Sequence, residues 1–368
     1  MQIESVDSFA VRIPLDSDVS FSNRTLEERD HAIVRITTDD GVEGTGFTLG
    51  YDSAEIIADA VERLLTPILL GEDPNDTERL WREMFDGTVP IGRKGLLLRA
   101  ISIVDIALWD IKAKAANQPL YKLLGAYTDE VPAYASGGYY RDEKGIDGLI
   151  EEMEKYVAHG HDRVKMKVGR ESVKREVERV KAAREVIGPD RTLMLDANGK
   201  WKNKQEAVNA CRAFAEFDPY FIEEPVMPDS VELMSKVNES LDYPVAAGEL
   251  EFSRYGFAEL LREGAVDIIQ PDVTVVGGVT EWMRIANWAA VKDISVAPHY
   301  NWELHVHLLA AIENGLWAEY FYRDLDVTVF DDVLEYPLKP SGGVFEVPNR
   351  AGHGVVLDKD KVDDFRSN

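Results

Sequence analysis

Short apolar runs and amphipathic stretches alternate along the chain, and the alternation changes character near residue 131. Before that point the pattern describes a small α+β unit. Residues 3–13 and 31–36 read as strands. Asp40-Gly41 is a hairpin signal, and residues 44–48 follow as a third strand. Gly44-Thr45-Gly46 opens no helix, so it belongs to the hairpin rather than to a dinucleotide loop. Helical patterns follow at 53–65, 76–85 and 97–116. In the last, Leu97, Ile101, Val104 and Leu108 form one apolar stripe at i, i+4, i+7 and i+11. Asp105 sits at the edge of that stripe, where a structural contact is expected.

From residue 131 onward, eight short apolar runs are separated by helical stretches. They cover 131–136, 163–168, 192–198, 220–224, 245–249, 267–272, 294–299 and 316–321. The polar residue near each end is Ser136, Lys167, Asp196, Glu223, Glu249, Asp272, His299 and Glu319, at steps of 31, 29, 27, 26, 23, 27 and 20. A strand–helix unit repeated eight times predicts a parallel α/β barrel. Residues 328–368 break the pattern with Pro340, Gly342, Gly343, Pro348, Gly352 and Gly354. The expected division is a capping unit at 1–127, a barrel at 128–327, and a C-terminal segment at 328–368 that packs back on the cap.

Length and charge narrow the partners. The 368 residues fit two domains or one barrel with an addition, and 45% hydrophobic content allows a large core. Asp and Glu number 67 against 41 Lys and Arg, a formal charge of −26. That sign argues against nucleic acid and against an anionic membrane surface. Two readings of it stand side by side: a protein of a high-salt cell, whose screening offsets self-repulsion, or an ordinary acidic enzyme. Cys211 is the single cysteine, which suits a reducing compartment. Met1-Gln2-Ile3-Glu4 lacks a secretory pattern, and no apolar run approaches bilayer length. A cytoplasmic protein is expected.

The strand ends carry the chemistry, because the C-terminal ends of barrel strands converge on one mouth. Any single charge there is read equally well as a helix cap or a solvated loop residue; seven ionisable residues in succession are not. Asp196, Glu223 and Glu249 would repel one another unless a dication lies between them, and an all-oxygen set favours Mg²⁺, with Mn²⁺ as the other candidate. Asn198 follows two residues after Asp196 and is placed to orient it or touch substrate. Glu224 alternates away from Glu223 and is expected to make an ion pair outside the site. Lys165 and Lys167 share the interior face of one strand. Each is expected to lower the pKa of the other, yielding a neutral base; the rival role is neutralising the carboxylates. Asp272 beside His299 would fix the imidazole tautomer. A protonated Glu319 is placed to donate to an enolate oxygen. His305 and His307 lie on different faces of a helix, so no metal pair is expected there. His159 and His161 flank Gly160 in a loop and are expected in solvent. Gly277-Gly278 is read as a tight loop.

At these residues the chain resembles the enolase superfamily, mandelate racemase subgroup. The motifs are Lys165-Met166-Lys167, Leu195-Asp196-Ala197-Asn198, Ile222-Glu223-Glu224-Pro225, Gly248-Glu249, Pro271-Asp272 with Gly277-Gly278, Pro298-His299 and Glu319. The resemblance spans nearly the whole chain. It implies a modified TIM barrel, (β/α)7β, with an α+β cap built from both chain ends. It implies Mg²⁺ on Asp196, Glu223 and Glu249. Lys167 would serve one face of the substrate carbon, His299 with Asp272 the other, Lys165 the carboxylate and Glu319 the enolate. Residues 92–124, Ser136-Gly137-Gly138-Tyr139 and residues 298–311 are most similar to acid-sugar dehydratases of the talarate/galactarate type, which makes Tyr139 a substrate contact. Asn198, rather than His, departs from the galactonate/gluconate-type enzymes. His299, rather than Lys, departs from the muconate-cycloisomerase and dipeptide-epimerase pattern.

The expected reaction is dehydration of a sugar acid to a 2-keto-3-deoxy acid. A racemase or epimerase of a 2-hydroxy acid is the alternative, because two bases on opposite faces suit both. A non-catalytic sugar-acid binding protein is the remote one, since it would need a broken constellation. Phe21, Asn23 and Arg24 lie in the first loop of the cap, where Arg24 is matched to a distal carboxylate or simply solvated. The partner is a small-molecule carboxylate, and the resemblance implies a homo-oligomer.

Overall fold

A computed structural model of the chain describes residues 1–20, 25–141 and 144–367. The cap begins with three antiparallel strands, β1 (Ile3–Ser20), β2 (Thr25–Thr38) and β3 (Glu43–Leu49). β1 and β2 run well past the expected 3–13 and 31–36. Polar residues after Pro14 and before His31 hide the extension from a periodicity reading; the register shifts between Pro14 and Val19. The helix Leu96–Ala115 lies across this sheet. Gly44 and Gly46 let it approach, since a Cβ at either would strike the carbonyl of Ala107 or Ile103.

Eight parallel strands then alternate with helices. They are β4 (Glu130–Gly137), β5 (Arg163–Lys167), β6 (Thr192–Asp196), β7 (Pro219–Glu223), β8 (Val245–Ala247), β9 (Ile268–Ile269), β10 (Ser295–Val296) and β11 (Ala318–Tyr320). Their spatial order is β10-β9-β8-β7-β6-β5-β4-β11. The ring closes where Val296 N donates to Asn314 O at 2.9 Å and Leu316 N donates to Val296 O at 2.8 Å. All eight expected runs are these strands, and helices fill the seven intervals between them: the (β/α)7β barrel. One interior layer is apolar, with Tyr134, Met194, Phe221, Ala246, Ile268 and Ala297 packed together. Two residues further along three of those strands stand Ser136, Asp196 and Glu223, so the alternation of a strand puts a polar layer directly above an apolar one.

The cap is fastened to the barrel by buried polar contacts. Asp105 accepts from Thr280 N at 2.8 Å and Thr280 Oγ1 at 2.6 Å, and burial lifts its carboxyl to about 7. Gly277 N donates to Ser102 Oγ at 2.9 Å, and Trp81 Nε1 donates to Gly277 O at 2.6 Å. Gly277-Gly278 is thus a tight loop on which the cap helix sits, since a Cβ on Gly278 would run into Asp105. The C-terminal segment joins both units. β12 (Val344–Glu346) pairs antiparallel with β4, while His353 N donates to Asp110 Oδ1 at 3.0 Å in the cap. Turns at Gly160 and Gly343 meet over His161. His161 is therefore buried, against the expectation of a solvated loop, with Nε2 2.9 Å from Tyr322 Oη.

His31 is fully buried in β2 against Phe330, and neither ring nitrogen has a partner. Burial, helped by Arg29, pulls its pKa down to about 3. The unfolded chain takes up this proton near pH 6.5 and the folded chain does not. Stability from this group is complete above about pH 6.5 and falls by up to about 1.4 kcal/mol per pH unit between there and pH 3. His31→Phe keeps the shape and is expected to remove one proton's worth of that slope in denaturant unfolding measured from pH 7 to pH 4. An unchanged slope would show that His31 does not titrate on unfolding.

Candidate active site

The barrel register places the polar layer. Lys167 is paired with Asp196 across β5 and β6, and Asp196 with Glu223 across β6 and β7. Strands lie about 4.8 Å apart, so these side chains are immediate neighbours. Glu249 follows β8 by two residues. Gly248, with φ 139°, turns the chain so that Glu249 enters the mouth. Oxygen atoms of Asp196, Glu223 and Glu249 lie within 4.8 Å of one another, and all three side chains are buried. Burial, and then the charge of Asp196, push Glu223 up to about 8, and its Oε1 has no hydrogen-bond partner. Three crowded carboxylates, one of them pushed up by burial and its neighbours and left with an orphaned oxygen, fit a hard dication bound by oxygen.

The lysines are fixed by these carboxylates. Lys165 Nζ lies 2.7 Å from Glu223 Oε2, 2.7 Å from Glu319 Oε1 and 3.9 Å from Asp196 Oδ2. Lys167 pairs with Asp196 and lies 5.2 Å from the centroid of the Tyr139 ring. Burial alone would lower both lysines, but Glu223 and Glu319 around Lys165, and Asp196 beside Lys167, outweigh it and raise both. Lys165 does lower Lys167 as expected, but the surrounding anions outweigh it, so the expected neutral base is overturned for the protein alone. Glu319 departs from expectation in the same way. Its Oε2 accepts from Tyr300 N at 2.9 Å while Oε1 faces Lys165. Burial would raise it, yet Lys165, His299 and Lys167 prevail and hold it at about 2, so it stands as a carboxylate rather than a donor.

Asp272 and His299 meet as the sequence suggested. His299 Nδ1 lies 3.0 Å from Asp272 Oδ2, and Nε2 lies 3.3 Å from Glu249 Oε2. Asp272 Oδ1 also accepts from Thr274 N at 2.8 Å and Thr274 Oγ1 at 2.9 Å, which locks the carboxylate. Burial opposes a charge on His299, but Glu249 and Asp272 overcome it and raise the imidazole to about 9. With Nδ1 committed to Asp272, Nε2 is the nitrogen presented to the chamber. Lys167, His299, Tyr139, Asn198 and Glu249 line one small chamber beneath the cap. His305 and His307, where no metal pair was expected, are fully buried and bonded to Val273 N at 3.0 Å and His353 O at 2.9 Å respectively.

Two corrections enlarge the site. Glu224 does not turn away into an outer ion pair. Its backbone takes φ 40°, leaving the pleat, and its buried side chain lines the cavity shared with Asn198 and Glu249. Burial first, and then Glu249 and Asp196, raise it well above the usual carboxylate range. The cap also contributes residues the sequence reading did not single out: Arg29, Tyr51 and Arg99 face the barrel mouth. One signal for Arg99 was present, a single charge inside the apolar run Leu96-Leu97-Leu98-Arg99-Ala100-Ile101. Phe21, Asn23 and Arg24 lie outside the described residues.

Comparison with known proteins identifies the family. Residues 4–125 match the mandelate racemase / muconate lactonizing enzyme N-terminal domain, and residues 148–361 match the enolase C-terminal domain-like family. The chain is 37% identical to arabinonate dehydratase of Saccharolobus solfataricus over 88% of its length and 87% of that protein. It superposes on a racemase from Streptomyces coelicolor, solved with bound magnesium, with a TM-score of 0.93 and 33% identity, covering 99% of this chain and 100% of that one. It also superposes on an L-talarate dehydratase from a Polaromonas species, complexed with Mg and L-glucarate, with a TM-score of 0.91 and 32% identity over 100% of this chain and 98% of that one.

Proposed function

Because the chain belongs to the mandelate racemase / muconate lactonizing enzyme family of the enolase superfamily, we propose that it dehydrates a sugar acid to a 2-keto-3-deoxy acid. The observation that carries this reading is one chamber lined by Lys167 from β5 and by His299 after β10, beside three crowded carboxylates. Asp196, Glu223 and Glu249 would hold Mg²⁺, with Mn²⁺ as the substitute. That ion would supply Lewis-acid stabilisation of charge developing on the substrate carboxylate, and would relieve the anionic field that now keeps Lys167 protonated.

The chain's own residues do the rest. Lys167 Nζ or His299 Nε2, whichever faces the C2 hydrogen and enters neutral, takes that proton. Lys165 donates to the carboxylate oxygen that gains charge, and Glu319 holds Lys165 in place. Asp272 keeps the His299 ring oriented. The C3 hydroxyl leaves as water with a proton from His299, and the enol ketonises. Asn198 and Tyr139 contact the substrate. A racemase or epimerase remains the second reading, because acid–base groups from two separate walls of one chamber also suit 1,1-proton transfer; only a leaving group at C3 separates the two outcomes.

Among the described residues no helix is long and apolar enough to cross a membrane. The single cysteine suits a cytoplasmic enzyme, and the charge of −26 suits one that works at high salt or an ordinary acidic enzyme alike. A homo-oligomer is part of the proposal. The purified protein with Mg²⁺ should be screened against mono- and diacid sugars in D₂O by proton NMR and a 2-keto acid assay. A 2-keto-3-deoxy product is expected. Deuterium at C2 or epimerisation without a keto product would replace the dehydratase reading with the racemase one.

A further inference from the structure

Between the cap and the barrel mouth lies a cavity of about 460 Å³ whose two sides have opposite character. On the barrel side the buried atoms Asn198 Oδ1 and Glu224 Oε1 have no hydrogen-bond partner. Both are set to accept from hydroxyl groups. On the cap side stands Arg99, only 8% exposed. Its Nη1 donates to Thr48 Oγ1 at 3.2 Å and to Leu49 O at 3.2 Å, and its guanidinium carbon lies 5.4 Å from the centroid of the Tyr51 ring. Among the described residues nothing accepts from Nη2 or Nε, and no carboxylate pairs with this arginine. An acidic chain thus buries a cation and leaves its forked edge open. Arg99 belongs to the first turn of Leu96–Ala115. That helix begins at Gly95 with φ 69° and has no side-chain cap, and Gly95 and Leu96 line the same cavity.

Burying an unpaired cation is costly, and a guanidinium fork together with free first-turn amides matches a carboxylate. We propose that this is a distal anion subsite: Arg99 and the helix start take the far carboxylate of a polyhydroxy diacid. Its hydroxyls donate to Asn198 and Glu224. The near carboxylate lies at the Asp196, Glu223 and Glu249 cluster, which rests on the functional reading above. The substrate class is therefore an aldaric rather than an aldonic acid. Arg99 acts in recognition and touches no reacting atom.

The test compares galactarate with galactonate, which differ at C6 as carboxylate against hydroxymethyl. Calorimetry on magnesium-loaded protein carrying both Lys167→Ala and His299→Asn measures binding without turnover, and C2 deuterium exchange on the wild-type enzyme measures reaction. Galactarate is expected to bind about 100-fold more tightly, the loss for one charged bidentate contact. Arg99→Met should cancel that preference by weakening galactarate alone, with Arg99→Lys in between. Thr48→Val, which removes a structural partner of Arg99, should leave the ratio intact. Equal binding of the two acids, binding of neither, or an Arg99→Met loss shared equally by both, would overturn the subsite. If the preference holds but neither acid exchanges at C2, the dehydratase reading fails and the subsite stands.

Discussion

Lys167→Ala is expected to lower kcat/KM by about 10³-fold for the C2 epimer whose hydrogen faces β5, and His299→Asn to do the same for the opposite epimer. Each group lines the chamber from a different wall, and each is oriented by its own carboxylate, Asp196 or Asp272. The two should therefore fail independently. Exchange of the C2 hydrogen in D₂O, followed separately for two epimeric acids, reads each base alone. Lys167→Ala also leaves Asp196 without its cation, so thermal melts with Mg²⁺ present should accompany the kinetics. Full exchange of both epimers by both variants would remove Lys167 and His299 from the acid–base role.

The second large effect is expected at the carboxylate cluster. Glu223→Gln should weaken Mg²⁺ binding by at least about 100-fold, since it removes a ligand charge rather than an outer contact. The same change should cost the metal-free protein less stability than Asp196→Asn does. Burial and crowding push Glu223 up to about 8, and Lys165 keeps Glu319 as a carboxylate partner when Glu223 becomes an amide. Asp196→Asn lacks this compensation, because it strips Lys167 of its partner. Calorimetric titration with Mg²⁺ and thermal melts with and without the ion separate the two quantities. Undiminished Mg²⁺ affinity in Glu223→Gln would move the metal elsewhere.

The barrel and most of its mouth were legible because a strand's two-residue period and the strand–helix repeat together fix which side chains reach the interior end. Lys165 and Lys167, Asp196, Glu223, Asp272, His299 and Glu319 all follow from that rule. Glu249 reaches the mouth only because Gly248 turns the chain. Glu224 was misplaced because the rule assumes a continuous pleat, and φ 40° at that residue breaks it. The protonation of Lys165, Lys167 and Glu319 was misjudged for another reason. Pairwise reasoning set lysine against lysine, whereas Lys165 faces Glu223, Glu319 and Asp196, Lys167 faces Asp196 and Glu249, and Glu319 faces Lys165, His299 and Lys167, so the net field is a property of the whole ring. His161 was misread because its cover, Gly343, lies far along the chain. Arg99 illustrates the same limit: its value to the site depends on where the cap lands, which Asp105, Ser102 and Gly277 decide through contacts about 175 residues apart.

The central claim is removal of a C2 proton from a hydroxy-carboxylate at a metal-dependent mouth. The most direct measurement is loss of the C2 hydrogen signal by proton NMR in D₂O, on a panel of sugar acids, with Mg²⁺ and then with excess chelator. Loss of that signal is expected only when Mg²⁺ is present, together with a 2-keto-3-deoxy product. A C2 hydrogen retained across the whole panel by metal-loaded enzyme, or exchange that persists undiminished in chelator, would contradict it.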